Sequence, residues 1–174
     1  AGNTRLFLLD LGVGQQRLGG SCLAQVYGQL GDVPPDLDDA ARLKAFFGAI
    51  RAAADAGLLV AYHDRSDGGL AVTLAEMALA SHASIDVDVA ALVKTDAVSA
   101  LFNEELGVVI QVRTADRDRA LGILRQHGLS LHSHVIGKTR PVHSAIDKGV
   151  GALSIWRDTQ EIFSAKLEDL YQVW

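Results

Sequence analysis

One short polar segment strongly constrains how this chain folds. Between His63 and Leu70 it places two acids, a hydroxyl and two adjacent glycines. A compact apolar run, 58–62, comes directly before it, and a segment with apolar residues at helical spacing begins at Leu70. A short apolar run is typical of a buried strand, whereas a spacing of three and four residues is typical of a helix. The sequence therefore predicts a strand, a tight turn and a helix in immediate succession.

This turn carries residue types that bind a phosphate and its metal. The first turn of a helix presents unpaired backbone N–H groups and the positive end of the helix dipole. Asp64 is then a candidate ligand for Mg²⁺, and Ser66 is a candidate contact for a phosphate oxygen. Gly68 and Gly69 would let a ligand approach the backbone closely. A plainer interpretation is equally open, in which Ser66 or Asp67 only caps the helix and the glycines shape the turn.

Composition narrows the class of protein. With 49% hydrophobic and 21% charged residues among 174, the chain has the profile of a globular protein with a substantial core. A net charge of −5 and the lack of a basic cluster argue against general nucleic-acid binding. The single cysteine, Cys22, excludes an internal disulfide and favours a reducing compartment. Because no apolar run approaches the ~20 residues of a membrane span, we expect a cytoplasmic domain that does not enter a membrane.

Strands and helices alternate imperfectly along the chain. Apolar runs and alternation predict strands at 5–10, 58–62, 85–89, 108–112, 129–136 and 152–156. Helical spacing and capping residues predict helices at 21–30, 38–56, 70–82, 96–102, 115–126 and 161–174. Scattered glycines, a proline and basic residues in 137–151 indicate a surface loop or hairpin. Since strands adjoin near the middle, we expect an α+β fold, a mixed β-sheet covered by helices.

Residues 1–174 are predicted to form a single domain, because no internal repeat, low-complexity tract or linker divides them. The chain begins at Ala1 without Met. That start is consistent with an internal fragment or a processed chain, and ordinary removal of Met before alanine would look the same.

Other polar residues are weaker candidates for a site. Cys22 has no cysteine or histidine at metal-ligand spacing, and a lone cysteine is more often a small buried residue than a nucleophile. His132 and His134 share one face of a predicted strand without an acidic partner, which favours exposed positions over a metal site. Glu104 and Glu105 are neighbours and point in different directions. We therefore expect one glutamate to face a site or cap the strand entry, and the other to face solvent.

Longer motifs resemble a known family. The block 62–77, YHDRSDGGLAVTLAEM, is similar to the signature of large bacterial phosphoribosylformylglycinamidine synthases. The block 101–112, LFNEELGVVIQV, resembles a second block of the same domain, and 19–27, GGSCLAQVY, resembles its opening helix. The blocks occur in the family's order, and the resemblance extends from about Leu6 to the C-terminus. It implies the fold of an aminoimidazole-ribonucleotide-synthetase-like C-terminal domain, in its second copy within a larger synthase.

The resemblance also implies an activity for the whole enzyme. The family is a ligase of purine biosynthesis that converts formylglycinamide ribonucleotide to formylglycinamidine ribonucleotide with ATP and glutamine. Phosphoryl transfer activates an amide oxygen, ammonia from glutamine displaces the phosphate, and Mg²⁺ orients the nucleotide phosphates. The implied ligands are Mg²⁺ and ATP or ADP. The implied partners are the other synthetase-like domains and the glutaminase domain of the same synthase.

By residue, the resemblance implies that Asp64 is a Mg²⁺ ligand and that the Ser66 hydroxyl contacts the nucleotide. It gives turn-shaping or supporting roles to His63, Arg65, Asp67, Gly68 and Gly69. It assigns no catalytic residue to this chain, and the nucleotide site it implies is either structural or catalytic. Because the remaining Mg²⁺ ligands and most ATP contacts belong to other domains, we expect the isolated domain to be inactive. The alternative is a structural or interaction module with no ligand of its own.

Overall fold

A computed structural model of the chain describes residues 3–94, 96–141 and 149–174. Within these ranges the strands are β1 (Thr4–Asp10), β2 (Leu59–Asp64), β3 (Ala83–Asp88), β4 (Gly107–Arg113), β5 (Ser133–Pro141), β6 (Ala152–Arg157) and β7 (Gln160–Lys166). The α-helices are α1 (Cys22–Val26), α2 (Ala40–Asp55), α3 (Gly69–Ser81), α4 (Ala97–Phe102), α5 (Arg117–Gln126) and α6 (Leu167–Val173). Short 3₁₀ turns precede α5 and β5.

The described strands join one sheet in the order β2-β4-β1-β5-β3-β6-β7. Neighbouring strands pair antiparallel, except that β3 and β6 are parallel. Asp10 at the end of β1 lies opposite Gly107 at the start of β4, and Asp64 at the end of β2 lies opposite Val108. The ends of β1 and β2 therefore meet the start of β4. This mixed sheet with its helices confirms the α+β expectation.

Helices cover both faces of the sheet because the side chains of the central strand β1 alternate between the two faces. Leu6 and Leu8 belong to a core that α3, α4 and α6 complete. Phe7 and Leu9 belong to a second core that α2 and α5 complete. All four side chains are at most 2% exposed, and burying each contributes about 1.5–3 kcal/mol. Burial on both faces therefore holds the end of β1 rigidly in place, and the residues around it pack against a rigid strand.

Helix ends follow local capping chemistry. Ser21 starts α1 as predicted, and its hydroxyl accepts the N–H of Ala24 at 3.2 Å. Asp39 starts α2 and accepts the N–H of Arg42 at 3.0 Å. Gly57 follows the end of α2 with φ of 66°, a left-handed conformation that suits glycine. In the ranges that the structure describes, no helix is both long enough and apolar enough to cross a membrane.

The helix predicted at 161–174 is wrong in its first half. Residues 160–166 form β7, with Phe163 opposite Ile155 of β6, and only Leu167–Val173 are helical. Ile162 packs against the core while Phe163 is exposed, which is the alternation of an edge strand. With so few apolar side chains, the period of this segment is too weak to distinguish a strand from a helix, and pairing with β6 decides the outcome.

The fifth strand also begins later and ends later than the predicted 129–136. Leu129 is buried in the second core but precedes a 3₁₀ turn rather than lying in β5. The strand continues into the predicted loop because Gly137 lies opposite both Leu6 of β1 and Val87 of β3. Part of that predicted loop, residues 142–148, lies outside the described residues.

Candidate functional site

Two left-handed glycines form the turn between β2 and α3. The strand ends at Asp64 and the helix begins at Gly69. Gly68 and Gly69 have φ values of 78° and 67°, in a region that residues with a Cβ rarely adopt. The N–H of Gly69 donates to the carbonyl of Ser66 at 2.9 Å. The strand, turn and helix predicted from the sequence are all present.

Arg65 ties this turn to the interior. It is 6% exposed, whereas Asp64 and Ser66 on either side of it are exposed. Its Nε donates to the carbonyl of Glu105 at 2.6 Å, and its Nη2 donates to Asp10 Oδ1 at 2.6 Å. A guanidinium tolerates burial only when acceptors such as these satisfy it. Since Arg65 points inward, its two neighbours point outward.

Asp64 and Ser66 present oxygens to solvent. The Tyr62 hydroxyl donates to Asp64 Oδ1 at 2.5 Å. Among the described residues, no hydrogen bond reaches Asp64 Oδ2 or Ser66 Oγ. Burial raises the pKa of Tyr62, and its hydrogen bond to the charged Asp64 raises that pKa further, so the hydroxyl remains a donor. The turn therefore offers a carboxylate oxygen and a hydroxyl to solvent.

His63 supports the backbone of the turn from the side of α3. Its Nε2 lies 2.6 Å from Glu76 Oε2, and its Nδ1 lies 2.7 Å from the carbonyl oxygen of Asp64. Both partners offer oxygen atoms that can accept a hydrogen bond from a ring N–H. Thr73 Oγ1 donates to the same carbonyl of Asp64 at 3.2 Å. These contacts fix the position from which the Asp64 side chain extends.

The Glu104 carboxylate joins the starts of two helices. Its Oε1 accepts the N–H of Gly68 at 2.8 Å and the N–H of Cys22 at 2.8 Å. The alternative in which Ser66 or Asp67 caps α3 is wrong, because Gly68 occupies the N-cap position and, among the described residues, neither side chain accepts a backbone N–H at the start of this helix. The positive end of a helix dipole stabilises a carboxylate there. Glu104 thus occupies one backbone N–H of the turn that the sequence predicts to be open to a phosphate.

Glu105 is buried, so the expectation that one of the two glutamates faces solvent is also wrong. It is 1% exposed, and it accepts hydrogen bonds from Arg17 Nε and Nη2, both at 2.7 Å. Arg17 Nη2 also donates to Asp38 Oδ2 at 2.8 Å. Paired contacts between a guanidinium and a carboxylate are strong and directional. No local pattern in the sequence indicates this pair, because Arg17 and Glu105 are 88 positions apart.

The Cys22 thiol lies beside the Glu104 carboxylate. Its Sγ and carboxylate oxygens of Asp67 and Glu104 all lie within 4.8 Å of one another. Burial raises the pKa of Cys22, and the negative charges of Glu104 and Asp67 raise it further, against the opposing effect of the Gly68 N–H. Because the thiolate is the reactive form, this setting disfavours a nucleophilic role for Cys22.

Replacing Glu104 with Gln is expected to speed alkylation of Cys22 by iodoacetamide at least about twofold, because losing the charge lowers the thiol pKa and raises the thiolate fraction. The rate is measured between about pH 7 and pH 9, where a thiol of ordinary pKa titrates. Glu76→Gln is the control, since Glu76 pairs with His63 and not with the thiol. An unchanged rate for Glu104→Gln would show that Glu104 does not control the thiol pKa.

Comparison with known proteins agrees with this architecture. The family described as AIR synthase related protein, C-terminal domain, matches residues 10–147. T. maritima PurL complexed with ATP has a TM-score of 0.71 at 13% identity, covering 98% of this chain and 26% of that chain. T. maritima PurL complexed with FGAR gives 0.72 at 11% identity, with coverages of 98% and 28%. E. coli HypE, a hydrogenase maturation protein, gives 0.58 at 20% identity, with coverages of 95% and 48%.

At these identities the similarity to solved structures shows a common fold. The chain spans about a quarter of each PurL chain and about half of HypE. The fold confirms the expected resemblance to the C-terminal domain of aminoimidazole-ribonucleotide synthetase. The family match includes the turn after β2 and the glutamates before β4, and it covers most of the chain. This chain therefore belongs to the AIR synthase related protein family and corresponds to its C-terminal domain.

Proposed function

We propose that residues 1–174 form one domain of a larger phosphoribosylformylglycinamidine synthase and contribute one side of a Mg²⁺–nucleotide site. The whole enzyme would convert formylglycinamide ribonucleotide to formylglycinamidine ribonucleotide with ATP and glutamine in the cytoplasm. Support comes from the family match and from the likeness to PurL, which has been solved with ATP. The sequence blocks 62–77 and 101–112 favour the large bacterial type and its second C-terminal-type domain.

The observation that carries this proposal is the exposure of Asp64 and Ser66 on either side of the buried Arg65. Mg²⁺ prefers oxygen ligands and is usually held by one or two carboxylates together with phosphate oxygens. Asp64 Oδ2 fits such a ligand, because within the described ranges Oδ1 alone is engaged, by the Tyr62 hydroxyl. Ser66 Oγ fits a donor to a phosphate oxygen. When bound, Mg²⁺ would neutralise and orient the nucleotide phosphates.

This chain holds only part of such a site. One carboxylate and one hydroxyl cannot complete the octahedral shell of Mg²⁺ or surround a nucleotide. In this proposal the remaining ligands come from other domains of the same synthase, which also include the glutaminase domain. Nucleotide binding at this turn therefore holds domains together or orients them, and the chain itself supplies no catalytic residue.

Asp64→Asn in the full-length protein is expected to weaken Mg²⁺-dependent ADP binding at least about tenfold. Losing a residue that only supports a metal ligand already weakens metal binding about tenfold, and Asp64 is proposed as a direct ligand. Titration calorimetry with Mg·ADP measures the change. Asp55→Asn is the matched control, because it removes the same charge from an exposed acid at the end of α2, outside the turn. ADP affinity that is equal in the wild type and Asp64→Asn would favour a structural module with no ligand at this turn.

A further inference from the structure

A cavity with a mixed polar and apolar lining lies beside the side chain of Arg65, and neither Asp64 nor Ser66 lines it. Its volume is about 130 Å³, and one water needs only about 10–15 Å³ measured in this way. Buried walls are formed by Leu8 and Asn103, while the exposed residues Val13 and Leu131 lie at its rim. The space is therefore large enough for a small polyatomic group and open to solvent at one end.

Arg65 brings its guanidinium, one nitrogen of which has no partner in the described structure, to the lining of this cavity. Its side chain is 2% exposed, and it forms part of the lining. Nε and Nη2 donate to the carbonyls of Glu105 and Leu106 and to the carboxylate of Asp10. Among the described residues, no hydrogen-bond partner is found for Nη1. Nη1 is not one of the fully buried polar atoms that lack a partner in the described structure, so solvent reaches it and it can donate to an acceptor from outside the chain.

Lys94 brings a second cation to the rim. It is exposed, and its ammonium has no ion-pair partner in the described parts of the chain. It lies across Gly14, because a Cβ at that glycine would come within 2.7 Å of Lys94 Nζ. The side chain therefore follows the rim of the cavity instead of extending away from it.

Gln16 and His134 add uncommitted polar groups. Gln16 Nε2 donates to the carbonyl of Leu92, but its Oε1 is buried with no hydrogen-bond partner in the described structure. His134 is half-buried in β5, and His132 precedes that strand, so neither is the exposed strand residue expected from the sequence. Burial lowers the pKa of His134, which favours the neutral ring. The residues that line the cavity thus include one unpartnered acceptor, Gln16 Oε1, in addition to the cations Arg65 and Lys94.

The charge of the lining favours an anion. Asp10 and Arg65 form an ion pair at 2.6 Å, and the N–H groups of Gly12 and Gly14 also donate to the Asp10 carboxylate. Both oxygens of that carboxylate therefore already accept hydrogen bonds, and Arg65 balances its charge. With His134 neutral and Asp10 balanced by Arg65, the Lys94 ammonium leaves the cavity with a positive charge.

We propose that this cavity binds a small oxyanion that also carries an O–H, such as a hydrogen phosphate group or a hydroxy-carboxylate. Arg65 Nη1 and Lys94 Nζ donate to the oxyanion, while Gln16 Oε1 accepts its O–H. This site is independent of the proposed nucleotide site, because it uses the inward side chain of the turn and not Asp64 or Ser66.

The test is titration calorimetry of the full-length protein with inorganic phosphate in EDTA, which removes divalent cations from the turn. We expect saturable binding that Lys94→Gln weakens about tenfold, since hydrogen bonds to charged groups are the stronger kind. Gln16→Glu should weaken it as well by placing a negative charge at the acceptor. Lys44→Gln, at an exposed lysine of α2, is the control and should leave phosphate affinity unchanged.

Three further titrations distinguish binding in the cavity from binding at the turn or to surface charge. Sulfate has no O–H at neutral pH and should bind more weakly than phosphate if Gln16 Oε1 accepts a hydrogen bond. Titration with lactate in place of phosphate tests whether the ligand is a hydroxy-carboxylate. If neither phosphate nor lactate binds, the proposal is overturned. Asp64→Asn should leave phosphate binding intact. A loss with Asp64→Asn, or an equal loss with Lys44→Gln and Lys94→Gln, would assign binding to the turn or to surface charge and overturn the proposal.

Discussion

Arg65→Met is expected to lower the free energy of unfolding by about 3–5 kcal/mol at neutral pH, the scale for removing one partner of a buried ion pair. The substitution leaves the carboxylate of Asp10 buried without its cation, and it removes the donors to the carbonyls of Glu105 and Leu106. Urea unfolding measures the loss. Arg125→Met, at an exposed position of α5, is the control and should change stability by less than about 0.5 kcal/mol.

The pH dependence of this loss identifies its cause. Burial alone would raise the pKa of Asp10, but the charge and hydrogen bond of Arg65, with the N–H groups of Gly14 and Gly12, hold it below the ordinary value of 3.8. A depressed pKa contributes stability that is present above the unfolded-state pKa and lost as pH falls through the folded-state pKa. Without Arg65 the folded-state pKa rises, so the difference between variant and wild type should shrink toward about pH 4. A difference that is constant with pH, or below about 1 kcal/mol throughout, would contradict the ion-pair explanation.

Gly69→Ala is expected to be the second large effect, with a loss of about 3 kcal/mol or more in the free energy of unfolding. A Cβ at this position would lie 2.6 Å from the carbonyl oxygen of Asn103 and 2.7 Å from that of Leu101. These are backbone atoms of α4 and its end, so they cannot rotate away as a side chain would. The left-handed φ of 67° adds strain of about 1–2 kcal/mol for a residue with a Cβ.

Alanine substitutions at two other glycines distinguish the steric clash of a Cβ from the strain of a left-handed backbone. Gly128 also has a left-handed φ, of 74°, but a Cβ there would meet open space, so Gly128→Ala should lose only about 1–2 kcal/mol. Gly122 lies within α5 with open space around it and no left-handed φ, so Gly122→Ala should gain about 0.5–1 kcal/mol. Thermal or urea unfolding of the three variants should therefore rank Gly69→Ala lowest. If Gly69→Ala and Gly128→Ala lowered the free energy of unfolding equally, the backbone at the end of α4 would have moved to accommodate the added Cβ.

The predictability of the elements depends on how much of each is buried. The strands β1 and β4 could be predicted because both are apolar runs buried on two faces, with few competing patterns. The edge strand β7 could not be predicted, because only side chains such as Ile162 reach the core and its identity comes from pairing with β6. The late end of β5 has a similar cause, since its pairing with β3 joins residues far apart in sequence.

The sequence likewise predicts only part of the candidate site. Asp64 and Ser66 could be picked out because they are polar residues beside two glycines, between a predicted strand and a predicted helix. The contacts that support the turn could not be predicted. Glu104 is 36 positions from Gly68 and 82 positions from Cys22, and no local spacing marks these contacts. The inward direction of Arg65 is equally hidden, since an arginine between exposed residues ordinarily remains in solvent.

The attachment of this turn to the central strands restricts its local motion. The backbone N–H of Arg65 donates to the carbonyl of Gly107 at 2.9 Å, while its side chain contacts the end of β1. Surface turns ordinarily open in small fluctuations, whereas core strands open only when most of the protein unfolds. Opening this turn requires breaking contacts with β1 and β4 at the same time. Asp64 and Ser66 therefore lie on a surface segment in which the hydrogen-bonded amides of Arg65, Gly68 and Gly69 should exchange with solvent more slowly than those of an ordinary surface turn.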